Sequence, residues 1–193
     1  MKVIATRLAG VKRIELTVFR DERGCFLEAY QEERYAQALG EPVHFVQDNC
    51  SHSRQGVLRG LHYQARHPQG KLVRASQGQI FDVVVDLRPG SPTFGQWEGH
   101  SLSSAWSGAG TGNAAVHTQL WIPPGLAHGF LVLSESATVE YKCTERYHPE
   151  DEVCLLWNDP DLAIAWPQPQ PVLSAKDRAG LTLRDLRQAG RLP

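Results

Sequence analysis

The sequence predicts an all-β fold, a sandwich or barrel of many short strands with short helical pieces near its ends. Three observations predict it. Twelve prolines and 17 glycines cut the 193 residues into short segments. The segments between them are rich in β-branched and aromatic residues, the composition of strands bounded by turns. No repeat of fixed period occurs, and no linker divides the chain, so one domain over residues 1–193 is expected.

The elements follow in order. Residues 14–19 and 43–47 read as strands, and between them 31–39 reads as a helix closed by Gly40. Further strands are expected at 57–64, 71–76, 79–87, 120–122, 129–133, 137–143 and 153–157. Ser174 is placed to cap a short helix beginning Ala175-Lys176-Asp177. Residues 103–116 differ in texture, with three glycines, one tryptophan and otherwise small side chains, and read as a surface loop.

Composition excludes several classes. With 41% hydrophobic residues and a net charge of −1, the chain is neither disordered nor basic enough to read as a nucleic-acid binder. No apolar run approaches the roughly 18 residues of a membrane span. The start, Met1 to Arg7, meets a second charge too early for a signal peptide. Cys25, Cys50, Cys143 and Cys154 form no C-x-x-C pair, which fits reduced thiols and a cytoplasmic protein. Cys143 reads as core and Cys50 as exposed.

Strand periodicity places the polar residues. Taking 65–70 as a hairpin loop pairs His62 with Val73 and Gln64 with Lys71. A tight turn at Gln77-Gly78 then sets Asp82 opposite Val73. One face carries His62, Lys71 and Asp82, and the other is apolar with Phe81, Val83, Val85 and Leu87. The polar face reads equally as a solvent face or as a partly apolar pocket holding a base, a cation and a carboxylate. No His-x-His or H-E-x-x-H pair occurs, and His62 with His128 alone are too few for a zinc or iron site. Neither a G-x-S-x-G nucleophile nor a phosphate-binding glycine loop is present, so any phosphate must be held by side chains such as Arg23, Arg59 and Lys176.

Several stretches resemble the dTDP-4-dehydrorhamnose 3,5-epimerase family. They include Arg59-Gly60-Leu61-His62-Tyr63-Gln64, Phe81-Asp82-Val83-Val84-Val85-Asp86, Pro124-Gly125-Leu126-Ala127-His128-Gly129-Phe130, Glu140-Tyr141-Lys142 and Ser174-Ala175-Lys176-Asp177. The resemblance implies a cupin-type jelly roll working as a homodimer, without metal or organic cofactor. It implies a dTDP-sugar substrate, dTDP-4-dehydro-6-deoxy-D-glucose, inverted at carbons 3 and 5. Carried over by position, His62 is the base, Asp177 its orienting carboxylate, Lys71 the cation at the 4-oxygen and Tyr141 the opposing proton donor. Gln47, Asp48, Asn49, Arg59, Lys71, His128, Tyr147, Glu152 and Lys176 fall at substrate-binding positions, with Tyr147 at the nucleotide. Phe26 joins them, and Arg23 and Glu28 are implied to reach the neighbouring subunit's site.

Taken without the resemblance, Tyr141 is an ordinary core tyrosine and Asp177 a carboxylate favoured at a helix start. Arg59 and His62 lie three apart, so both face one site only if the strand bulges, for which Gly60 is the suitable residue. Asp82 stands as a rival partner for His62. Two departures from the family pattern are Leu126 for a phenylalanine and Cys50 for a histidine, and about ten residues are inserted within 104–117. Three rival readings stand beside the double epimerase: a single-carbon epimerase, a non-catalytic nucleotide-sugar-binding cupin, and a metal-dependent cupin oxygenase.

Overall fold

A computed structural model describes residues 1–105 and 116–193. The strands are β1 (Lys2–Ala5), β2 (Lys12–Thr17), β3 (Phe19–Asp21), β4 (Gly24–Phe26), β5 (Gln47–Arg54), β6 (Leu58–Gln64) and β7 (Lys71–Gln77). They continue with β8 (Gln79–Asp86), β9 (Trp97–Ser103), β10 (Val116–Ile122), β11 (Leu126–Val132), β12 (Ser136–Cys143) and β13 (Glu152–Cys154). The helices are α1 (Glu32–Leu39), α2 (Ala175–Arg178) and α3 (Leu183–Gln188).

Two antiparallel sheets face each other. One has the order β1-β2-β10-β7-β12-β5 and the other β13-β6-β11-β8-β9, while β3 and β4 form a separate two-stranded ribbon. Between the sheets lies a core that includes Val73, Ile80, Val84, Leu120 and Val139. The five-stranded sheet is covered on its outer face as well. There Val83, Val85 and Leu87 pack with Leu155, Leu162, Ile164 and Leu186 from the C-terminal segment. Burial on both faces explains why 126–132 reads as a nearly continuous apolar run. Helix α1 lays Tyr35 and Leu39 on the outer face of the six-stranded sheet, against Ile14, Leu16, Leu72 and Trp121. Gln31 caps its start by accepting from the Arg34 amide, and Gly40 closes it in the left-handed conformation at φ 85°.

The register expected from the sequence is overturned. β6 and β7 do not pair: β6 lies between β13 and β11, whereas β7 lies between β10 and β12 in the opposite sheet. β7 and β8 are likewise split between the sheets, so 65–70 and Gln77-Gly78 are arches across the sandwich, not hairpin turns. Gly78 makes the second arch possible. Its φ is +74°, and a Cβ there would stand 2.1 Å from the Ser136 carbonyl oxygen. Period-2 alternation still aims His62, Lys71 and Asp82 inward, but from facing sheets.

Residues 43–46, expected to be strand, precede β5, which runs instead through the polar stretch 47–54. Strands β1, β4 and β9 and helix α3 were not anticipated. The expected insertion at 104–117 lies, from 106 to 115, outside the described residues.

At the end of that span His117 on β10 is 2% exposed. Burial, with the charge of Arg74 adding to it, pushes its imidazole down from 6.5 to about 4. As pH falls, the unfolded chain therefore takes up this proton first. Stability present above about pH 6.5 is lost down to about pH 4, by up to about 3 kcal/mol from this one group. Urea midpoints at about pH 7.5 and about pH 5 should fall less far apart in His117→Leu than in the wild type. Equal acid sensitivity in both proteins would remove His117 as the cause.

Candidate active site

A cavity of about 630 Å³ opens between the two sheets, within the range of roughly 300–1,000 Å³ usual for small-ligand sites. Its walls come from different sheets. On the six-stranded side, Lys71 stands beside Cys143 and Gln47 in one cross-strand row, and Tyr141 pairs with Val73 and Asn49 in the next. On the five-stranded side, His62 pairs with His128 and Cys154, and Gln64 pairs with Glu152.

Arg59 reaches the same cavity because β6 carries an extra residue. His128 pairs with His62, but Phe130 pairs with Arg59, so three steps on β6 oppose two on β11. Gly60 accommodates the bulge at φ +120°, where a Cβ would stand 2.6 Å from the Gly129 Cα. The arginine's Nε donates to the Ser53 hydroxyl at 2.9 Å.

His62 Nε2 lies 2.6 Å from Asp177 Oδ1. Asp177 is 4% exposed and sits in the short helix α2, where the Ser174 hydroxyl donates to Oδ2 at 2.7 Å. The Asp177 amide in turn donates to Ser174 Oγ, so the N-cap that starts the helix also fixes the carboxylate. Burial pushes this carboxyl up, but hydrogen bonds from His62 and Ser174 outweigh it and hold it below the usual carboxylate range. An ionised Asp177 accepts from Nε2–H, which leaves the Nδ1 lone pair of a neutral His62 free. Nδ1 is 3.7 Å from Glu152 Oε1. The other oxygen of Glu152 accepts from Tyr147 Oη at 2.8 Å and from Lys176 Nζ at 2.7 Å.

Asp82, the rival carboxylate, partners the second histidine. Its Oδ2 lies 2.7 Å from His128 Nε2, and both residues are buried. Lys71 is also buried, and desolvation pulls its ammonium below the ordinary lysine range against the opposing charges of Glu152 and Asp82. Burial raises the Tyr141 phenol, so it stays protonated at neutral pH. Cys154 is pushed up to about 12 by burial and by the neighbouring Asp177 charge. The structure therefore sets a base with a free lone pair, the cations Arg59, Lys71 and Lys176, and a protonated phenol around one space.

Of the residues singled out in the sequence, Gln47, Asn49, Arg59, His62, Lys71 and His128 line this cavity. So do Tyr141, Tyr147, Glu152, Lys176 and Asp177. Asp48 does not. Alternation along β5 turns Gln47 and Asn49 inward and Asp48 outward, where it meets Lys142 Nζ at 3.0 Å. Arg23, Phe26 and Glu28 also lie away from their own chain's cavity. Arg23 pairs with Asp21 on the β3–β4 ribbon, Glu28 with Arg34, and Phe26 is 68% exposed. Ser51, Gln69 and Ser174 line the cavity without having been expected as site residues. Ser51 was readable from the Gln47, Asn49, Ser51 alternation, whereas Gln69 comes from an arch whose course no local pattern signals.

The family profile described as dTDP-4-dehydrorhamnose 3,5-epimerase matches residues 5–185. A dTDP-4-dehydrorhamnose 3,5-epimerase of Pseudomonas aeruginosa is 55% identical over 184 residues, 94% of this chain and 96% of the relative. A dTDP-4-dehydrorhamnose 3-epimerase of Streptomyces niveus is 39% identical, covering 100% of this chain and 89% of that protein. The solved structure of dTDP-6-deoxy-D-glucose-3,5-epimerase from Legionella pneumophila, in complex with dTDP-4-keto-L-rhamnose, superposes with a TM-score of 0.90 at 49% identity. That superposition covers 100% of this chain and 97% of the other, and with it the cupin-type β-sandwich stands.

Proposed function

The chain belongs to the dTDP-4-dehydrorhamnose 3,5-epimerase family, and from that membership we propose that it is an isomerase inverting carbons 3 and 5 of dTDP-4-dehydro-6-deoxy-D-glucose. One observation carries the reading: His62 and Tyr141 stand on facing walls of a single cavity. Inversion requires a proton to leave one face of a carbon and another to arrive at the opposite face, so acid and base must confront each other across the ring.

The 4-keto group acidifies both neighbouring carbons. His62 Nδ1 takes the proton, and Asp177 steadies the imidazolium through its bond to Nε2. Electron density moves to the 4-oxygen, where the buried Lys71 ammonium stabilises the enolate more strongly than in water. Tyr141 then delivers a proton from the far wall. Both carbons flank the same keto carbon, so one base and one cation serve either. Arg59 and Lys176 suit the diphosphate, and the half-exposed Tyr147 ring suits the thymine face.

A homodimer completes the site in this reading. Arg23, Phe26 and Glu28 sit near a ribbon whose Phe19 and Phe26 are 60% and 68% exposed, which suits delivery to a neighbouring chain. Proton NMR of the substrate in deuterium oxide tests the chemistry. Loss of both the carbon-3 and carbon-5 signals is expected; loss at one alone means a single-carbon epimerase, and no exchange means the reading fails.

A further inference from the structure

Cys154 takes no part in the proposed epimerisation, yet it stands directly across β13–β6 from His62 and on the same side of the sheet. Its Sγ is 3.9 Å from Asp177 Oδ1, the oxygen that His62 Nε2 meets at 2.6 Å. One imidazole nitrogen, one thiol sulfur and one carboxylate oxygen thus lie within 4.8 Å of one another. Tetrahedral zinc, with bonds of about 2.0–2.3 Å, holds neighbouring donor atoms roughly 3.3–3.8 Å apart. The Sγ–Oδ1 separation of 3.9 Å stands just above that range, the His62–Asp177 contact has to open by roughly 0.7 Å, and the imidazole and thiol, within 4.8 Å, draw together as the ion enters. Three protein donors with a fourth position toward a cavity is the arrangement of an open zinc site, and His62 and Asp177 both line that cavity.

We propose that His62, Cys154 and Asp177 form an inhibitory site for a thiophilic divalent cation of the zinc and cadmium class. The thiolate selects against magnesium and calcium, which take oxygen donors. Inhibition, which rests on the proposed role of His62, follows from the imidazole tautomer. The ion occupies the Nε2 lone pair, so the ring's single proton moves to Nδ1, and the lone pair that abstracts the substrate proton is lost. The thiol proton goes to solvent. Metal binding thereby converts the base into a hydrogen-bond donor.

The test reads binding and activity separately. Titration of the wild type with cadmium, followed by the thiolate-to-metal absorption band in the ultraviolet, should show one equivalent more than in Cys154→Ser, which retains the other three cysteines. Zinc should inhibit deuterium exchange in the wild type reversibly on chelation. In Cys154→Ser, basal exchange should persist while the zinc concentration needed rises about 100-fold, since even outer partners of metal ligands are worth about 10–100-fold. Cys154→Ala serves equally should the serine variant fold poorly. Equal cadmium stoichiometry in wild type and variant, or unchanged zinc sensitivity, overturns the site. A wild type that binds the extra cadmium but exchanges no substrate proton would uphold the site and sink the epimerase reading instead.

Discussion

His62→Ala is expected to lower deuterium incorporation at carbons 3 and 5 by at least about 10³-fold, within the range of roughly 10²–10⁴ that a positioned base supplies. Both carbons should fail together, because among the described residues the cavity offers no second base in the same position. His128 shares the wall, but its Nε2 is engaged by the buried Asp82. Glu152 stands near His62 Nδ1, yet Lys176 and Tyr147 both donate to it; although burial pushes its carboxyl up, those hydrogen bonds hold it below its ordinary range, which makes it a poor base. The fold should persist, since His62 lies on a cavity wall and Asp177 keeps its bond from Ser174. Unchanged circular dichroism and melting, alongside lost exchange, is the expected pair of results. Exchange retained within tenfold would remove His62 from the mechanism.

The base was legible in the sequence because it sits in a dense motif, Arg59-Gly60-Leu61-His62, whose bulge could be read from glycine and spacing. Alternation put it on one face with Lys71 and Asp82 but left that face equally a solvent face or a pocket. What alternation could not supply was the sheet to which each strand belongs. Two strands joined by a short connection read equally as a hairpin or as an arch across a sandwich, and only long-range pairing decides. A register that does not exist thus brought together His62 and Lys71, which do line one cavity, and Asp82, which partners His128 instead. β5 was hidden for a different reason. Gln47, Asn49 and Ser51 face a polar cavity, while Asp48, Cys50 and His52 face outward, so neither side of the strand shows the apolar period that marks a core strand. A strand that lines a site on one side and is polar on the other carries no hydrophobic signature. The same alternation, applied within the motif, would have removed Asp48 from the cavity. α3 escaped notice because a single residue, Leu186, is buried along its length.

Tyr141→Phe removes one oxygen and should separate two events that His62→Ala abolishes together. Tyr141 shares its strand face with Val139 and Cys143, both fully buried, so the phenyl ring keeps its packing and the variant should fold. In the wild type, burial keeps the phenol protonated, which suits a donor and disqualifies it as a base at neutral pH. With the oxygen gone, His62 can still remove a proton and Lys71 can still hold the enolate. The enolate then has a proton source on one side only, the imidazolium that has just formed. Return of a solvent-exchanged proton from that side gives deuterium without inversion. The expected result is deuterium incorporation within about tenfold of wild type, with formation of the inverted sugar reduced by about 10²–10³-fold. Mass spectrometry of the recovered nucleotide sugar, read beside NMR of ring stereochemistry, measures the two rates on one sample. A parallel fall in exchange and inversion would instead place Tyr141 in binding or in support of the base. The facing walls would then not be the source of the stereochemistry, and the donor would have to be sought among the other side chains of the six-stranded sheet.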